Sequence, residues 1–212
     1  MPLFPFFMDI HSTDGLIVGG GKHALEKVQR LMPFSPALRV ITPECLPELE
    51  AIPGIEISRR AFRESDLTPP PAFVVVSTGD QAEDRRIAAL CQAQRIPVNV
   101  VDDQPACTFV FPSLITRGKL SIGISTDGAS PAAAVQLKRK VESLLPDHTE
   151  EILDWLQAKR PAVLQAIPDR RRRFAFHHRL TETCMELDRP LSEEEFLRLL
   201  TEENREASAG AL

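Results

Sequence analysis

The sequence has no tyrosine, a single tryptophan and four isolated cysteines. No two cysteines form a C-x-x-C pair, which excludes a zinc knuckle and a thioredoxin-like redox motif. No apolar run is long enough to span a membrane, and the apolar start lacks the basic flank of a signal peptide. A net charge of −5 disfavours general binding to nucleic acid. These absences predict a cytoplasmic protein with no nucleic-acid partner, no membrane partner and no preassembled metal site.

What is present is a regular alternation of short apolar runs and helical stretches. With 43% hydrophobic residues, the chain can bury a core as one large domain or two small ones. Apolar runs such as that at 73–76 are typical of strands buried on both faces, as in a parallel sheet. The pattern predicts strands at 16–18, 38–41, 55–58, 73–77 and 97–101, with helices at 22–31, 43–50 and 80–94. It indicates a Rossmann-like α/β fold.

The pattern changes after residue 102. Apolar runs at 108–113 and 119–125 predict two antiparallel strands joined by a turn at 115–118. Ser130 before Pro131 predicts the start of a helix that ends near residue 145. Helices are then predicted at 150–159, within 161–188 and at 193–205. The fold class is therefore α/β with a parallel sheet, a small antiparallel region and a helical C-terminal domain.

The glycines Gly19, Gly20 and Gly21 follow the first predicted strand and precede a predicted helix. Glycine permits a sharp turn and leaves no Cβ between the backbone and a ligand. The amides at the start of the following helix can then bind an anion such as a diphosphate. Ala24 stands where the spaced G-x-G-x-x-G motif has its last glycine. The alternative is a tight turn without a ligand.

Two carboxylates, Asp102 and Asp103, follow the fifth predicted strand. Ligands of open α/β sheets bind beyond the carboxyl ends of the strands. A carboxylate at this position can accept a proton or hold a cation or an N–H group. An ordinary Asx turn that ends the strand is the alternative interpretation.

Four short motifs occur together in a characteristic order. They are Gly-Gly-Gly at 19–21, Asn-Val-Val-Asp at 99–102, Phe-x-Phe-Pro-Ser at 109–113 and Ser-Thr-Asp-Gly-x-Ser-Pro at 125–131. In this combination the chain resembles the precorrin-2 dehydrogenase/sirohydrochlorin ferrochelatase family, the module also found at the N-terminus of siroheme synthase. The resemblance covers essentially the whole chain.

The resemblance implies three regions and a reaction. The regions are an NAD-binding domain at 1–112, a dimerisation region at 113–145 and a helical, substrate-side domain at 146–212. The implied reaction is the NAD-dependent oxidation of precorrin-2 to sirohydrochlorin by a homodimer, and some members also insert Fe²⁺ into the product. The small-molecule partner would therefore be a tetrapyrrole.

The resemblance also assigns site residues. The catalytic aspartate falls on Asp102, and the implied substrate contacts after the antiparallel region are Ser125 and Thr126. Besides the glycines, the implied dinucleotide contacts are Lys22, His23, Pro43, Glu44, Thr78 and Asn99. An acidic residue near the end of the second strand favours NAD over NADP because it can bind a ribose hydroxyl. Glu44 lies two residues beyond the expected position, and the resemblance itself implies NAD.

An arginine run at 170–173 is the remaining candidate for substrate binding. Guanidinium groups bind carboxylates bidentately and stay charged, so Arg170, Arg171 and Arg173 could hold the acetate and propionate groups of precorrin-2. The alternatives are a solvated face or a cluster that balances the acidic segment at 181–206. The neighbouring His177 and His178 point in different directions on a helix and cannot both face one metal ion.

Two other functions remain open from the sequence. One is a bifunctional dehydrogenase and ferrochelatase. The other is a non-catalytic module that binds a dinucleotide or a tetrapyrrole. The sequence does not distinguish them.

Overall fold

The computed structural model describes residues 3–209, which form two compact units divided between Phe111 and Pro112. The first unit contains strands β1 (Asp14–Val18), β2 (Ala37–Thr42), β3 (Ile55–Arg59), β4 (Phe73–Val76) and β5 (Val98–Val100), and helices α1 (Lys22–Leu31), α2 (Pro47–Glu50) and α3 (Gln81–Ala93). The second contains strands β6 (Ser113–Arg117) and β7 (Leu120–Ile124) and helices α4 (Pro131–Glu142), α5 (Thr149–Ala166), α6 (Arg170–Leu187) and α7 (Glu193–Ala209).

The five strands of the first unit form one parallel sheet in the order β3-β2-β1-β4-β5. Helix α1 covers one face through Ala24, Val28 and Leu31, and α3 covers the other through Ile87 and Cys91. Because both faces are covered, β4 is buried along its whole length. The strand order reverses between β1 and β4, which is the position where sheets of this type bind ligands. The predicted Rossmann-like sheet is thus confirmed.

The second unit begins with the β6–β7 hairpin, which pairs Ser113 with Ile124 and Arg117 with Leu120. Helix α4 follows and is capped as predicted, since the Ser130 hydroxyl accepts a hydrogen bond from the Ala133 amide at 3.1 Å. Helices α5, α6 and α7 bury a separate core that includes Ile152, Phe176, Cys184 and Phe196. The predicted antiparallel region and helical C-terminal region are both present.

Three predicted elements differ from the structure. The helix predicted at 43–50 is shorter than expected, because α2 begins only at Pro47 after the extended residue Leu46. The strand predicted at 108–113 is wrong, because pairing with β7 begins only at Ser113. Phe109 and Phe111 instead pack against the core of the first unit, where their rings lie 5.6 Å apart. The helix predicted at 150–159 continues through Pro161 to Ala166. Proline costs one backbone hydrogen bond there, and the apolar contacts of Val163 and Ala166 with the helical core favour continuation.

Within residues 3–209, no helix combines the length and apolar character that crossing a bilayer requires.

Candidate nucleotide-binding site

A cleft of about 470 Å³ opens at the carboxyl ends of β1, β2 and β4. Its walls are contributed by the glycine turn after β1, the segment after β2, and the turn that joins β4 to α3. It is lined by Val18, Gly19, Gly20, Gly21, Ile41, Thr42, Pro43, Glu44, Cys45, Leu46, Ala61, Phe62, Thr78, Asp80 and Glu83. This is the edge of the sheet at which the sequence predicts a dinucleotide.

The glycine turn is closely packed at its first two positions. Gly19 has a φ of +128°, and a Cβ added there would lie 2.2 Å from the carbonyl oxygen of Ser77. A Cβ on Gly20 would lie 2.1 Å from the carbonyl oxygen of Glu44. Both contacts are with backbone atoms, which cannot move aside as a side chain can. A Cβ on Gly21, by contrast, would meet no atom within 4 Å, so this glycine faces open space.

The beginning of α1 has the features of an anion site. Gly21 is its N-cap, no side chain caps it, and its first turn contains no acidic residue. The first amides of a helix lack partners within the helix, and its dipole favours negative charge there. Beside Gly19 lies the buried hydroxyl of Ser77, which has no hydrogen-bond partner within residues 3–209. These features fit the diphosphate of a dinucleotide.

Only some of the predicted cofactor contacts line the cleft. Pro43, Glu44 and Thr78 line it together with the three glycines. Lys22 and His23 are exposed in the first turn of α1 and do not line the cleft wall. Both side chains are cations or potential cations beside the helix start, which favours an anionic ligand.

The structure does not bring Asn99 to this cleft. Its side chain is 7% exposed and its amide nitrogen donates a hydrogen bond to the carbonyl oxygen of Phe109 at 3.0 Å. Asn99 thereby holds the segment after β5 against the sheet. Its predicted contact with the cofactor remains a prediction.

The acidic residues Asp80 and Glu83 line the cleft and were missed by sequence reasoning. The Asp80 carboxylate caps α3 by accepting hydrogen bonds from the amides of Ala82 and Glu83. A hydrogen bond from Arg86 lowers the pKa of Glu83, so this carboxylate stays charged. An Asp directly before a helical run is an N-cap signal, which places Asp80 at the start of α3. With Glu44, these residues line the cleft with carboxylates, of which that of Glu83 is paired with Arg86.

The consecutive residues Asp102 and Asp103 have opposite environments. Asp102 is exposed and adopts a left-handed conformation with φ 60°. Asp103 is only 6% exposed, and one of its carboxylate oxygens accepts a hydrogen bond from Arg85 Nε at 2.6 Å. Asp102 is therefore the carboxylate available to a ligand, and Asp103 is a structural partner of α3.

In the second unit, the predicted substrate-binding arginines are used in different ways. Arg170 and Arg171 are exposed at the start of α6. Arg173 donates hydrogen bonds to the carbonyl oxygens of Ile167 and Pro168, both at 3.0 Å. Arg172, which was not predicted to bind substrate, donates to the Glu203 carboxylate at 3.2 Å and to its backbone carbonyl at 2.9 Å. Of the four arginines, Arg170 and Arg171 are therefore exposed, whereas Arg172 and Arg173 stabilise the helical unit.

The predicted substrate contacts Ser125 and Thr126 lie between β7 and α4. The Ser125 hydroxyl accepts a hydrogen bond from the amide of Asp127 at 3.2 Å. The Thr126 hydroxyl lies 3.0 Å from the carbonyl oxygen of Ser130 and 3.3 Å from its amide nitrogen. Both hydroxyls thus stabilise the turn that precedes α4. In the described part of the chain, no three His, Cys, Asp or Glu side chains cluster so as to hold a metal ion.

Comparison with family models yields two adjacent matches. Residues 6–113 match the family described as "Putative NAD(P)-binding", and residues 117–144 match the family described as "Sirohaem biosynthesis protein central". The first match covers the cleft and both aspartates.

Curated relatives extend the likeness over most of the chain. The siroheme synthase of Thioalkalivibrio sulfidiphilus is 35% identical over 185 residues, which cover 86% of this chain and 38% of the relative. The siroheme synthase of Ectopseudomonas mendocina is 34% identical over 83% of this chain and 38% of its own length. The chain thus spans about two fifths of the curated relatives that it matches.

A solved structure titled "SirC, precorrin-2 dehydrogenase" shares the fold. It superimposes with a TM-score of 0.68 over 96% of this chain and 100% of its own, at 24% identity. The resemblance seen in the sequence motifs is confirmed by the two family matches and the relatives. The chain belongs to the NAD(P)-binding family whose members form the N-terminal module of siroheme synthases.

Proposed function

We propose that this protein is an NAD⁺-dependent dehydrogenase that oxidises precorrin-2 to sirohydrochlorin. The observation that carries the proposal is the cleft itself, where a closely packed glycine turn and an uncapped helix start form a diphosphate site. The curated siroheme synthases and the solved precorrin-2 dehydrogenase, whose names state these activities, support the choice of reaction.

The glycine turn and the start of α1 would hold the diphosphate. Gly21 leaves open space beside the backbone, and the first amides of α1 point their donors toward that end of the helix. Lys22 and His23 would add attraction from the same turn. The unpartnered Ser77 hydroxyl is a further donor in the neighbourhood of Gly19.

The charge of the cleft favours NAD⁺ over NADP⁺. Glu44, Asp80 and Glu83 line the cleft, and no Lys or Arg is among its lining residues within the described chain. A ribose hydroxyl can donate a hydrogen bond to a carboxylate, whereas the extra phosphate of NADP⁺ would be repelled by it. Replacing Glu44 with Gln should therefore weaken NAD⁺ binding and reduce discrimination against NADP⁺.

Asp102 is proposed as the catalytic carboxylate. The glycine turn and the start of α1 would hold NAD⁺, which would supply the hydride acceptor for precorrin-2; the second hydrogen would leave as a proton, giving sirohydrochlorin, NADH and a proton. The exposed Asp102 carboxylate would orient the macrocycle through its N–H groups or accept that proton. Asp103 cannot take this role, because it is buried and bonded to Arg85.

Substrate binding by the second unit is part of the proposal. Arg170 and Arg171 have exposed side chains that could bind the carboxylates of precorrin-2. Arg173 and Ser125 would contribute through donors left over from their local hydrogen bonds. Thr126, whose one O–H donates to the Ser130 carbonyl, would contribute through a remaining lone pair of its oxygen. Insertion of Fe²⁺ as a chelatase substrate would use the macrocycle nitrogens as principal ligands.

We propose that the protein acts as a cytoplasmic homodimer whose contact lies in residues 113–145. Helix α4 exposes Val135 and Leu137 at 44% and 47% of their surface, which is apolar area that a second copy could cover. Light scattering of the Val135→Asp variant tests this point, and the expected result is a monomer. A dimer of unchanged stability would contradict it.

The direct test follows NADH formation with precorrin-2 under anaerobic conditions. The wild type should form NADH without added Fe²⁺, and Asp102→Ala should lose turnover by about a hundredfold or more while still binding NAD⁺. Asp147→Ala, which removes an exposed carboxylate of the second unit, is the control and should retain full turnover. An unchanged rate in Asp102→Ala would remove this residue from the mechanism, and NAD⁺ binding without turnover in the wild type would favour a non-catalytic module.

A further inference from the structure

The segment that contains Asp102 is fixed by hydrogen bonds from side chains of α3. Between β5 and the short helical turn at Gln104–Ala106, the chain makes a bend in which Asp102 has a positive φ of 60°. This conformation is unfavourable for a residue with a side chain and persists only where surrounding contacts impose it. Three contacts impose it in this structure.

The first contact is the ion pair between Asp103 and Arg85. Arg85 Nε donates to Asp103 Oδ2 at 2.6 Å, and the Asp103 side chain is 6% exposed whereas that of Arg85 is 60% exposed. The hydrogen bond to Asp103 raises the pKa of Arg85 above its ordinary value, so the guanidinium stays charged. Burial of one partner fixes the backbone at Asp103, the residue that directly follows Asp102.

The second contact is made by Cys107. Its sulfur accepts a hydrogen bond from the Val100 amide at 3.1 Å and lies 3.4 Å from the carbonyl oxygen of Asp103. Burial raises the pKa of the Cys107 thiol, which therefore remains protonated. The bend is thus fastened at Val100 before Asp102 and at Asp103 after it.

A third contact joins the same bend to α3 about two turns beyond Arg85. Gln92 Nε2 donates to the carbonyl oxygen of Ala106 at 3.0 Å. The residue preceding Arg85 acts on the neighbouring strand end, because Asp84 accepts hydrogen bonds from the amide and the hydroxyl of Thr78. Helix α3 therefore fixes the ends of both β4 and β5, where a predicted cofactor contact and the proposed catalytic carboxylate lie.

We infer that the Arg85–Asp103 ion pair is a positioning device that sets the conformation of Asp102 for the reaction. This inference rests on the proposed function, in which Asp102 contacts the substrate. Neither Arg85 nor Asp103 needs to touch the substrate or the cofactor. Their role is to hold a strained backbone so that the Asp102 carboxylate meets the macrocycle in one orientation.

The principal variant is Asp103→Asn, which removes the charge that Arg85 binds. We expect kcat with precorrin-2 to fall on the order of tenfold to a hundredfold, because small misplacements of a reacting group have effects of this size. The dissociation constant of NAD⁺, measured by calorimetry, should stay unchanged. Since Arg85 is exposed, Arg85→Gln is a second variant that disturbs the core less and should lower kcat in the same direction.

The matched control is Asp14→Asn at the opposite end of the same sheet. Asp14 is the first residue of β1 and accepts hydrogen bonds from Arg39 at 3.0 and 2.8 Å, so it forms an Asp–Arg ion pair away from the cleft, with a carboxylate that is 38% exposed. This variant should lose stability without losing kcat. If Asp14→Asn lowered kcat as much as Asp103→Asn, a general structural effect would explain both and the inference would be overturned.

Two further measurements separate positioning from stability. In ¹⁵N relaxation of the ligand-free protein, Asp102 should become mobile in Asp103→Asn and stay rigid in Asp14→Asn. Adding Asp103→Asn to Asp102→Ala should cause no further loss of turnover, because a residue that acts through Asp102 has nothing left to position. A further loss in the double variant, or normal kcat in Asp103→Asn when Asp102→Ala is inactive, would overturn the inference and leave the proposed function standing. Full turnover in Asp102→Ala would overturn the inference and the proposed role of Asp102 but leave the dehydrogenase activity standing, whereas absence of turnover in the wild type would overturn the proposed function.

Discussion

The predicted ligand contacts of the two units are positioned in contrasting ways. In the α/β unit, the predicted cofactor contacts follow buried strands, and backbone packing against Ser77 and Glu44 fixes the glycine turn. In the helical unit, the predicted substrate contacts lie on α6, where Arg172 and Arg173 are bonded to their own unit and Arg170 and Arg171 are exposed. At the strand ends, backbone packing therefore determines the geometry of the site. On the surface of α6, tertiary contacts determine which arginine side chains stay exposed and available to a ligand.

The largest effect is expected from Phe176→Ala in the helical unit. Phe176 is 1% exposed, and removal of its ring should lower the free energy of unfolding by about 3–5 kcal/mol. The single tryptophan, Trp155, packs edge-on against Phe196 at 5.8 Å in the same core and reports this unit in a urea titration. Phe174→Ala on the same helix is the control, because Phe174 is 74% exposed and should change little. Equal effects of the two variants would contradict the described core.

The next largest effect is expected in the α/β unit, at the glycine turn. Gly20→Ala places a methyl group against the Glu44 carbonyl and should destabilise the unit by about 1–3 kcal/mol. Gly21→Ala meets open space and should fold as well as the wild type, yet its methyl group would project where the diphosphate is proposed to bind. Calorimetric unfolding and NAD⁺ titration of both variants separate packing from binding. A stable Gly20→Ala protein that binds NAD⁺ normally would show that the turn is less constrained than described.

A smaller effect distinguishes neighbouring arginines of α6. Arg172→Gln breaks the contacts with Glu203 and should cost about 1 kcal/mol in urea unfolding. Arg171→Gln should leave stability unchanged and raise the KM for precorrin-2, with the difference from wild type shrinking at high salt. If Arg171→Gln had no effect on KM, the exposed half of the run would be a solvated face.

The smallest effect concerns pH and the start of α7. A hydrogen bond from Arg189, with further bonds from Ser192, lowers the pKa of Glu195 from 4.5 to about 2. Because the pKa of Glu195 is lower in the folded state than in the unfolded state, the ionised carboxylate stabilises the fold at pH values above about 4.5, the pKa in the unfolded state. That contribution is lost as pH falls from about 4.5 through about 2. Tryptophan-monitored unfolding across this range should depend less on pH in Glu195→Gln than in the wild type, and an identical pH dependence would contradict the assignment.

The strand order and the place of the cleft follow from sequence because they rest on local patterns. Apolar runs mark β1, β2, β4 and β5, and parallel strands necessarily bring their carboxyl ends to one edge. Glu44 and Thr78, which the family resemblance assigns to the cofactor, do line the cleft beside the glycines. Phe109 and Phe111 mislead because their apolar alternation resembles a strand, although it serves packing against the first unit.

The remaining features depend on tertiary contacts that no local pattern reports. Asp102 and Asp103 are identical neighbours, and only the position of Arg85 on α3 decides which of them is buried. The same holds for Arg171 and Arg172, which differ in whether Glu203 lies within reach. Sequence therefore predicts the kind of residue at the site better than the role of each individual one.

The central claim is that the glycine-lined cleft binds NAD⁺ for a reaction that depends on Asp102. A single-turnover experiment with precorrin-2 and NAD⁺, run with and without Fe²⁺, tests it most directly. We expect one NADH for each macrocycle oxidised in the wild type irrespective of Fe²⁺, and almost none in Asp102→Ala. Absence of NADH from a folded wild-type protein that is supplied with both substrates would contradict it.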